Sequence, residues 1–425
     1  MTAMADAAPP ATGWPDLWRA FGRIGLLSFG GPAAQIAMMH RDLVDDRRWL
    51  DEDEYLRALS FCMLLPGPEA MQLATYAGWR LKGVMGGLLA GLLFVLPGAG
   101  VILGLAAAYA AWGQVPFVQA LFFGVKACVT VIVVEALLRV GRRALKGIRH
   151  RIIAVLSFLA IFALGLPFPL IVALAALAGA FWLDRPAPRP AVLPAHGHIA
   201  PTLAIGIAAW IAPLAVVWAT GQAFLLQVGL FFSKLALVTF GGAYAVLAYM
   251  TQTVAEDYGW LTTEQMIDAL GLAETTPGPL ILVTEFVAYL AGDIRGGPGL
   301  ALAAAGLSIW VTFVPCFLWI FAFAPYISWI GTRPRLQAAL AGITASVVGV
   351  IGNLAAIFTL HVLFARLGEF AWGPLRLTLP DPVTLDLRAL IILGLCAVAL
   401  LRLHWPLTGV LVLSALAGVA AGAIG

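Results

Sequence analysis

Two cationic side chains hold equivalent places in the two halves of this 425-residue sequence. Arg23 precedes the phrase Ser-Phe-Gly-Gly at 28–31, and Lys234 precedes Thr-Phe-Gly-Gly at 239–242 by the same interval. Each lies in an apolar segment, where a charged side chain costs free energy and usually has a function. We predict that Arg23 and Lys234 bind an anion. The alternative, in which both side chains extend to a lipid–water interface, stays open.

Four turns rich in glycine and proline interrupt apolar segments. A helix that starts after such a turn leaves its first N–H groups unpaired and exposes the positive end of its dipole, which attracts anions. Proline suits such a start because it has no N–H to lose. We predict that the four turns meet at one anion site, to which hydroxyl groups could donate. Its predicted members in these turns are Ser28, Gly30, Gly31, Pro66, Gly67, Pro68, Thr239, Gly241, Gly242, Pro277, Gly278 and Pro279.

Three glutamates lie close to the two Pro-Gly-Pro turns: Glu69, Glu274 and Glu285. A buried carboxylate beside an anion site can gain and lose a proton, so we predict that these residues serve proton coupling. Glu69 has an alternative role, because a carboxylate in the first turn of a helix also stabilises the helix dipole.

Lys126 is a further candidate for the site, since it lies in the apolar segment 117–139. A purely structural role is the alternative. Glu135 and Arg139 in the same segment have the i,i+4 spacing of an ion pair on one helix face.

The sequence disfavours other kinds of chemistry. Its four cysteines, Cys62, Cys128, Cys316 and Cys396, stand singly in apolar segments, so we predict no metal site and no disulfide. Its six histidines lie in loops or near segment ends, and no Gly-x-x-x-x-Gly-Lys phrase occurs. We therefore predict no catalytic residues, no cofactor and no nucleic-acid partner. A membrane-embedded lipid-phosphate hydrolase and a structural membrane protein are the rival hypotheses.

The composition indicates where these residues act. Hydrophobic residues make up 62% of the chain, charged residues 11%, and the mean hydropathy is +0.95; soluble proteins have about 25% charged residues. Apolar stretches long enough for a helix to span the bilayer recur along the whole chain. The sequence predicts an all-α polytopic membrane protein embedded in a lipid bilayer.

The two halves are copies of one unit. The landmarks 28–31, 49–50 and 66–68 return 211 positions later, and farther on Pro97 matches Pro315 at an offset of 218. A last, weaker match pairs 167–179 with 406–418. Such repeats define the domain organisation. We predict a disordered tail at 1–16, a first repeat at 17–183, a proline-rich cytoplasmic linker at 184–201 and a second repeat at 202–425.

Charge predicts that the copies face opposite ways. Four arginines lie in 40–57, whereas the equivalent stretch 251–268 has no Lys or Arg. Positive charge marks cytoplasmic loops, so the repeats are expected to be inverted, with broken or re-entrant helices at the bilayer midplane and the N-terminus in the cytoplasm. The segment 58–79, cut by its Pro-Gly-Pro turn, is predicted as a re-entrant hairpin; a single broken span is the alternative.

The motif set resembles the chromate ion transporter family in its long, two-repeat form. The resemblance rests on Phe-Gly-Gly, the Trp-Leu pair, the doubled Pro-Gly-Pro and the Leu-Pro-Gly at 96–98. It implies a secondary transporter that exports chromate across a bacterial inner membrane, with sulfate or another oxyanion as the alternative. The sequence departs from the family at Thr276 and in a polar insert at 366–388. Drive by the membrane potential is expected, while proton coupling and a homodimer are kept open.

Overall fold

The computed structural model describes residues 12–29, 31–184, 199–240, 243–327, 333–373 and 375–424. Most of them are helical. The helices of the first repeat are α1 (Trp14–Leu27), α2 (Gly31–His40), α3 (Glu52–Cys62), α4 (Glu69–Trp112), α5 (Pro116–Ala144), α6 (Ile148–Phe162) and α7 (Phe168–Trp182). A connecting helix, α8 (Ile199–Ala219), lies at the start of the predicted second repeat. The other helices of that repeat are α9 (Ala223–Val238), α10 (Ala243–Thr251), α11 (Thr263–Glu274), α12 (Val283–Phe323), α13 (Pro334–Leu363), α14 (Leu387–Ala397) and α15 (Leu407–Ile424).

Within the described residues, five helices are long and apolar enough to cross a membrane: Glu69–Trp112, Pro116–Ala144, Ile199–Ala219, Leu280–Tyr326 and Pro334–Leu363. The predicted class, an all-α polytopic membrane protein with two repeats, is confirmed. Helix α1 begins inside the stretch predicted as a tail, because Pro15 and Asp16 are residues that favour a first helical turn. Helix α8 likewise begins inside the predicted linker. Residues 1–11 and 185–198 lie outside the described part of the chain.

Helix α4 consists of two arms that fold back on one another. The chain reverses at Lys82 and Gly83, where Gly83 has a φ of +63°. A Cβ atom on Gly78 would lie 2.3 Å from the carbonyl oxygen of Gly86, so the two arms are in backbone contact and only small residues fit between them. Helix α12 repeats this design at Gly297, whose φ is +73°.

The segment around the first Pro-Gly-Pro turn follows a hairpin path, as predicted. Arg80 Nε at the end of the first α4 arm donates to Glu54 Oε1 at the start of α3, over 2.7 Å. The outer ends of the two helices therefore lie side by side, with the turn at the opposite end. A single broken span would place these ends far apart.

Equivalent helices of the two repeats run antiparallel. Gly87 of α4 packs against Phe321 of α12, and Gly91 packs against Phe317. Residue numbers therefore increase along α4 in the direction in which they decrease along α12. Two membrane-crossing helices related in this way need repeats of opposite orientation. This arrangement supports the inversion expected from the charges.

The repeats also exchange their last helices. Helix α13 of the second repeat packs against α6 and α7 of the first, while α5 packs against α14 and α15. Glycines permit both crossings: a Cβ on Gly342 would lie 2.3 Å from the carbonyl oxygen of Ala175, and one on Gly124 would lie 1.7 Å from that of Ser414. Small residues at a crossing let membrane helices approach closely. The chain is thus an interlocked pair of repeats.

The polar insert at 366–388 contains a β-hairpin, which the sequence analysis did not assign. Strand β1 (Leu367–Trp372) pairs antiparallel with β2 (Leu375–Pro380). The amide of Arg376 donates to the carbonyl of Ala163 over 2.8 Å, which ties the hairpin to the loop between α6 and α7.

Candidate functional site

Each Pro-Gly-Pro turn binds the broken helix of the other repeat. The amide of Gly67 donates to the carbonyl of Thr239 over 2.9 Å, and the amide of Gly278 donates to that of Ser28 over 3.0 Å. Ser28 and Thr239 are the C-caps of α1 and α9, so their carbonyls have no partner within their own helix. The structure thus brings the predicted turns together in two reciprocal pairs. Gly30, Gly241 and Gly242 lie outside the described residues.

Glycine is required at the centre of both turns. Gly67 has a φ of +121° and Gly278 a φ of +88°, a region that residues with a Cβ rarely adopt. A Cβ on Gly67 would also lie 2.7 Å from Cys316 Sγ. The matched contact in the other pair is between Gly98 and the carbonyl of Pro277, because Gly98 and Cys316 are equivalent positions.

Two buried amides that the sequence analysis missed support these turns. Gln35 Nε2 donates to the carbonyl of Gly278 over 2.7 Å and to that of Ser28 over 3.1 Å. Gln72 Nε2 donates to the carbonyl of Pro66 over 2.7 Å. The available signal was a lone amide side chain four residues after Gly31 and another four residues after Pro68, both in the first repeat.

The residues at which the chain leaves the two turns provide no side-chain cap. Pro68 is the N-cap of α4, and Pro279 is the N-cap of a single 3₁₀ turn, Leu280–Leu282, that leads into α12. They therefore lie one position before the predicted opening turn. By contrast, the hairpin arms that lead into the turns are capped by Asp51 and by Thr262. Neither proline offers a side-chain acceptor to the N–H groups that follow it, and such helix starts attract anions.

The hydroxyls predicted to face the anion bond to their own helices. Ser28 donates to the carbonyl of Ile24, and Thr239 Oγ1 donates to that of Leu235 over 2.6 Å. Both side chains are buried. In this structure the carbonyls of the two residues therefore position the turns. Their hydroxyl protons are donated within their own helices and not to an anion.

Arg23 and Lys234 both lie on exposed helix faces. Each precedes the C-cap of its helix by five residues, about 7.5 Å at 1.5 Å per residue. Lys234 Nζ lies 5.7 Å from the ring centroid of Tyr249. Among the described residues neither cation forms an ion pair, so both charges remain available to an anion that enters from the exposed side.

The three predicted carboxylates lie in different environments. Glu69 is half-buried at the first position of α4. Glu274 is 4% exposed and accepts a 2.6 Å hydrogen bond from the hydroxyl of Tyr244, in the helix that follows the second Phe-Gly-Gly phrase. Glu285 is 2% exposed, and its Oε2 has no hydrogen-bond partner in the described structure.

Lys126 lies in an ionic cluster away from the four turns. Its Nζ is 3.4 Å from Glu264 Oε2 and 3.7 Å from Asp268 Oδ2, and Asp268 also accepts from the hydroxyl of Tyr109 over 2.8 Å. The cluster joins α4, α5 and α11, which favours the structural role. Asp268 and Tyr109 were not predicted as its partners. The ion pair expected between Glu135 and Arg139 is confirmed.

A cavity of about 180 Å³ opens beside one of the turn pairs. Met63 and Leu64 from the first Pro-Gly-Pro hairpin and Phe240 from the second Phe-Gly-Gly phrase line it, opposite Gln337 and Thr344 of α13. At about 30 Å³ per water molecule the volume corresponds to roughly six waters, so a tetrahedral oxyanion would fit.

Comparison with known proteins agrees with the repeat pattern. A sequence model described as chromate transporter matches residues 15–180 and 226–421, one region in each repeat. The chain belongs to the chromate transporter family. It is similar to the chromate transport protein of Pseudomonas aeruginosa, with 36% identity over 82% of each chain. It is also similar to the probable chromate transport protein of Synechococcus elongatus, with 31% identity over 90% of this chain and 95% of that one.

A third relative, the chromate transport protein of Cupriavidus metallidurans, is 32% identical over 78% of this chain and 79% of its own length. No solved structure matches the chain. The resemblance inferred from the motifs is therefore confirmed at the level of the family.

Proposed function

We propose that this member of the chromate transporter family exports chromate across a bacterial inner membrane, with its N-terminus in the cytoplasm. The relatives are named as chromate transport proteins, which supports a transport role over an enzymatic one. Sulfate or another oxyanion is the alternative substrate, since it shares the tetrahedral shape and double negative charge. We keep a homodimer as the proposed oligomeric state.

The observation that carries the proposal is the pairing of the turns. Reciprocal hydrogen bonds at Gly67 and Gly278 hold the start of α4 and the 3₁₀ turn before α12 at the contact between repeats. Helix α4 passes both turn pairs. Gly91 contacts Phe317, which is next to the Cys316 that lies at the first turn, and Gly98 contacts Pro277 of the second turn. Gly91 and Gly98 are seven residues apart, so roughly 10 Å of helix separates the two turn pairs. Inverted-repeat transporters place their substrates between such helix ends.

Arg23 and Lys234 would add positive charge at the entrance to this region. Each lies about five residues from a turn on an exposed face. An oxyanion that approaches along these faces would meet a cation first and the helix N-termini next. In the alternative, in which both side chains extend to a lipid–water interface, the two charges have no contact with the substrate.

The membrane potential is proposed as the main driving force. Moving a dianion outward from a negative interior is favourable by about 4.6 kcal/mol per 100 mV, twice the roughly 2.3 kcal/mol for one charge. Glu69 and Glu274 are the candidates for additional proton coupling, since both lie next to a Pro-Gly-Pro turn.

Uptake of labelled chromate into inverted membrane vesicles tests the proposal. We expect an imposed potential, positive inside the vesicle, to drive uptake, and excess unlabelled sulfate to compete weakly. Vesicles that lack the protein are the control. Equal uptake in both preparations would contradict the proposed function, and preferential uptake of labelled sulfate would change the substrate.

A further inference from the structure

Glu285 is a buried carboxylate that the oxyanion site does not use. It lies on the first arm of α12, is 2% exposed, and has no partner for its Oε2. Among the described residues no cation forms an ion pair with it. Burial of a charged carboxylate without a partner costs several kcal/mol, so such a group is neutralised either by a proton or by a bound cation.

The fold of α12 places Ser308 opposite Glu285. Where the two arms meet, a Cβ on Gly292 would lie 2.8 Å from the Cα of Ala301. Glu285 is seven residues before Gly292 and Ser308 is seven residues after Ala301. Seven residues make almost two complete helical turns, so both side chains point into the same interface. Ser308 is fully buried, and its hydroxyl donates to the carbonyl of Ala305, which leaves its oxygen lone pairs free.

Two more buried hydroxyls come from the second arm of α12 and from α9, which packs against that arm. Thr312 lies one turn beyond Ser308, is fully buried, and has no partner for its Oγ1. Ser233 comes from α9, one turn after Gly229, whose Cβ position is 3.1 Å from Leu307. Its Oγ is also buried without a partner. Three of the four side chains in this cluster, Glu285, Thr312 and Ser233, thus hold a buried oxygen without a hydrogen-bond partner.

The first repeat builds the same hairpin without any of these polar groups. The equivalent positions are Ala74, Ala90, Phe94 and Gly22. Packing of the arms therefore does not require a carboxylate or a hydroxyl there. The polar cluster is a property of the second repeat alone, which indicates a ligand rather than a structural need.

We propose that Glu285, Ser308, Thr312 and Ser233 form a binding site for a sodium ion. The ligand set contains only oxygen atoms, which hard cations prefer. It carries one negative charge, so a monovalent ion leaves the buried site neutral, whereas a divalent ion would leave it charged. The site is independent of which anion the protein carries. Glu285 lies seven residues after Gly278, close enough for bound sodium to favour an anion at the neighbouring turn.

Thermal unfolding of the purified protein tests the site without any transport assay. We expect NaCl to raise the Tm of the wild type relative to the same concentration of choline chloride, because a ligand that binds the folded state stabilises it. Glu285→Gln, which keeps the shape, should abolish this difference, and Ser308→Ala should shift it to higher sodium concentration. Ser346→Ala is the matched control, since Ser346 is equally buried and bonds to the carbonyl three residues earlier.

Loss of the sodium response in Glu285→Gln with an unchanged response in Ser346→Ala would support the site. A wild type that responds equally to sodium and choline would overturn it, as would a Glu285→Gln variant that keeps the full response. A Tm that follows pH through Glu285 but ignores sodium would assign the position to a proton instead. If Glu285→Gln fails to fold, binding of radioactive sodium to the Ser308→Ala and Ser346→Ala proteins decides the same question.

Discussion

The amide of Gly67 donates a 2.9 Å hydrogen bond to the carbonyl oxygen of Thr239, 172 residues away in the other repeat. Gly278 and Ser28 form the matched bond. Each repeat thus accepts a hydrogen bond from a turn of the other repeat. If one repeat moves relative to the other, the bonded segments must move together or both hydrogen bonds must break. This makes the two glycines the natural points to test the coupling between the repeats.

Replacing Gly67 with alanine should destabilise the protein and stop transport. The left-handed conformation costs about 1–2 kcal/mol for a residue with a Cβ, and the added methyl would collide with Cys316. Thermal unfolding and chromate uptake measure the two effects. Gly100→Ala is the control, because a Cβ there has open space within a helix and should be neutral or slightly stabilising. Wild-type behaviour of Gly67→Ala would show that the turn does not need its conformation.

Much of this architecture could be predicted from the sequence, because the repeat fixes equivalent positions and glycine and proline mark the breaks. The pairing of Gly67 with Thr239 could not be predicted, since hydrogen bonds between distant backbone groups leave no mark on residue type. The packing of α13 against α6 and α7 of the first repeat could not be predicted either, because a glycine indicates a close helix crossing without indicating its partner. Lys126 is a similar case. The sequence shows a cation in an apolar segment, but only the structure shows that Asp268 lies beside it.

Inversion of the repeats predicts opposite accessibility at equivalent positions. Asp46 and Asp257 occupy matched places in the two repeats, and both are exposed. In a protein without its four native cysteines, Asp46→Cys should react only with reagents that reach the cytoplasm. Asp257→Cys should react with an impermeant maleimide added outside intact cells. Labelling of both positions from the same face would mean that the repeats are parallel.

Lys126 is expected to act through stability rather than transport. Lys126→Gln leaves Asp268, 6% exposed, without its cation, and should lower the free energy of unfolding by about 2 kcal/mol. This is less than for a fully buried pair because Lys126 is 21% exposed. Adding Asp268→Asn should recover most of the loss in a double-mutant cycle. Glu264→Gln, at an exposed partner, should change stability by less than about 1 kcal/mol. Additive losses would argue against the pairing.

Glu69 and Glu274 should matter for the response to pH but not for potential-driven export. Neutralising both to glutamine removes the groups that could exchange a proton at the turns. Vesicles with the double variant are expected to take up chromate under an imposed potential and to ignore a pH gradient. Export that runs on a pH gradient alone at zero potential, and disappears in the variant, would make proton exchange the main driving force. Tyr244→Phe tests the hydrogen bond to Glu274 separately.

The most direct test of the central claim is equilibrium binding of labelled chromate to the purified protein. Loss of a charged hydrogen-bond donor costs about 1.5–3 kcal/mol, so Arg23→Gln and Lys234→Gln should each weaken binding at least roughly tenfold. Arg23→Lys should lose less than Arg23→Gln, because it keeps the charge but not the planar donor group. Arg19→Gln is the matched control, one helical turn earlier and also exposed, and should bind like the wild type. Unchanged chromate binding by a protein that carries both Arg23→Gln and Lys234→Gln would contradict the assignment of these cations to the oxyanion site.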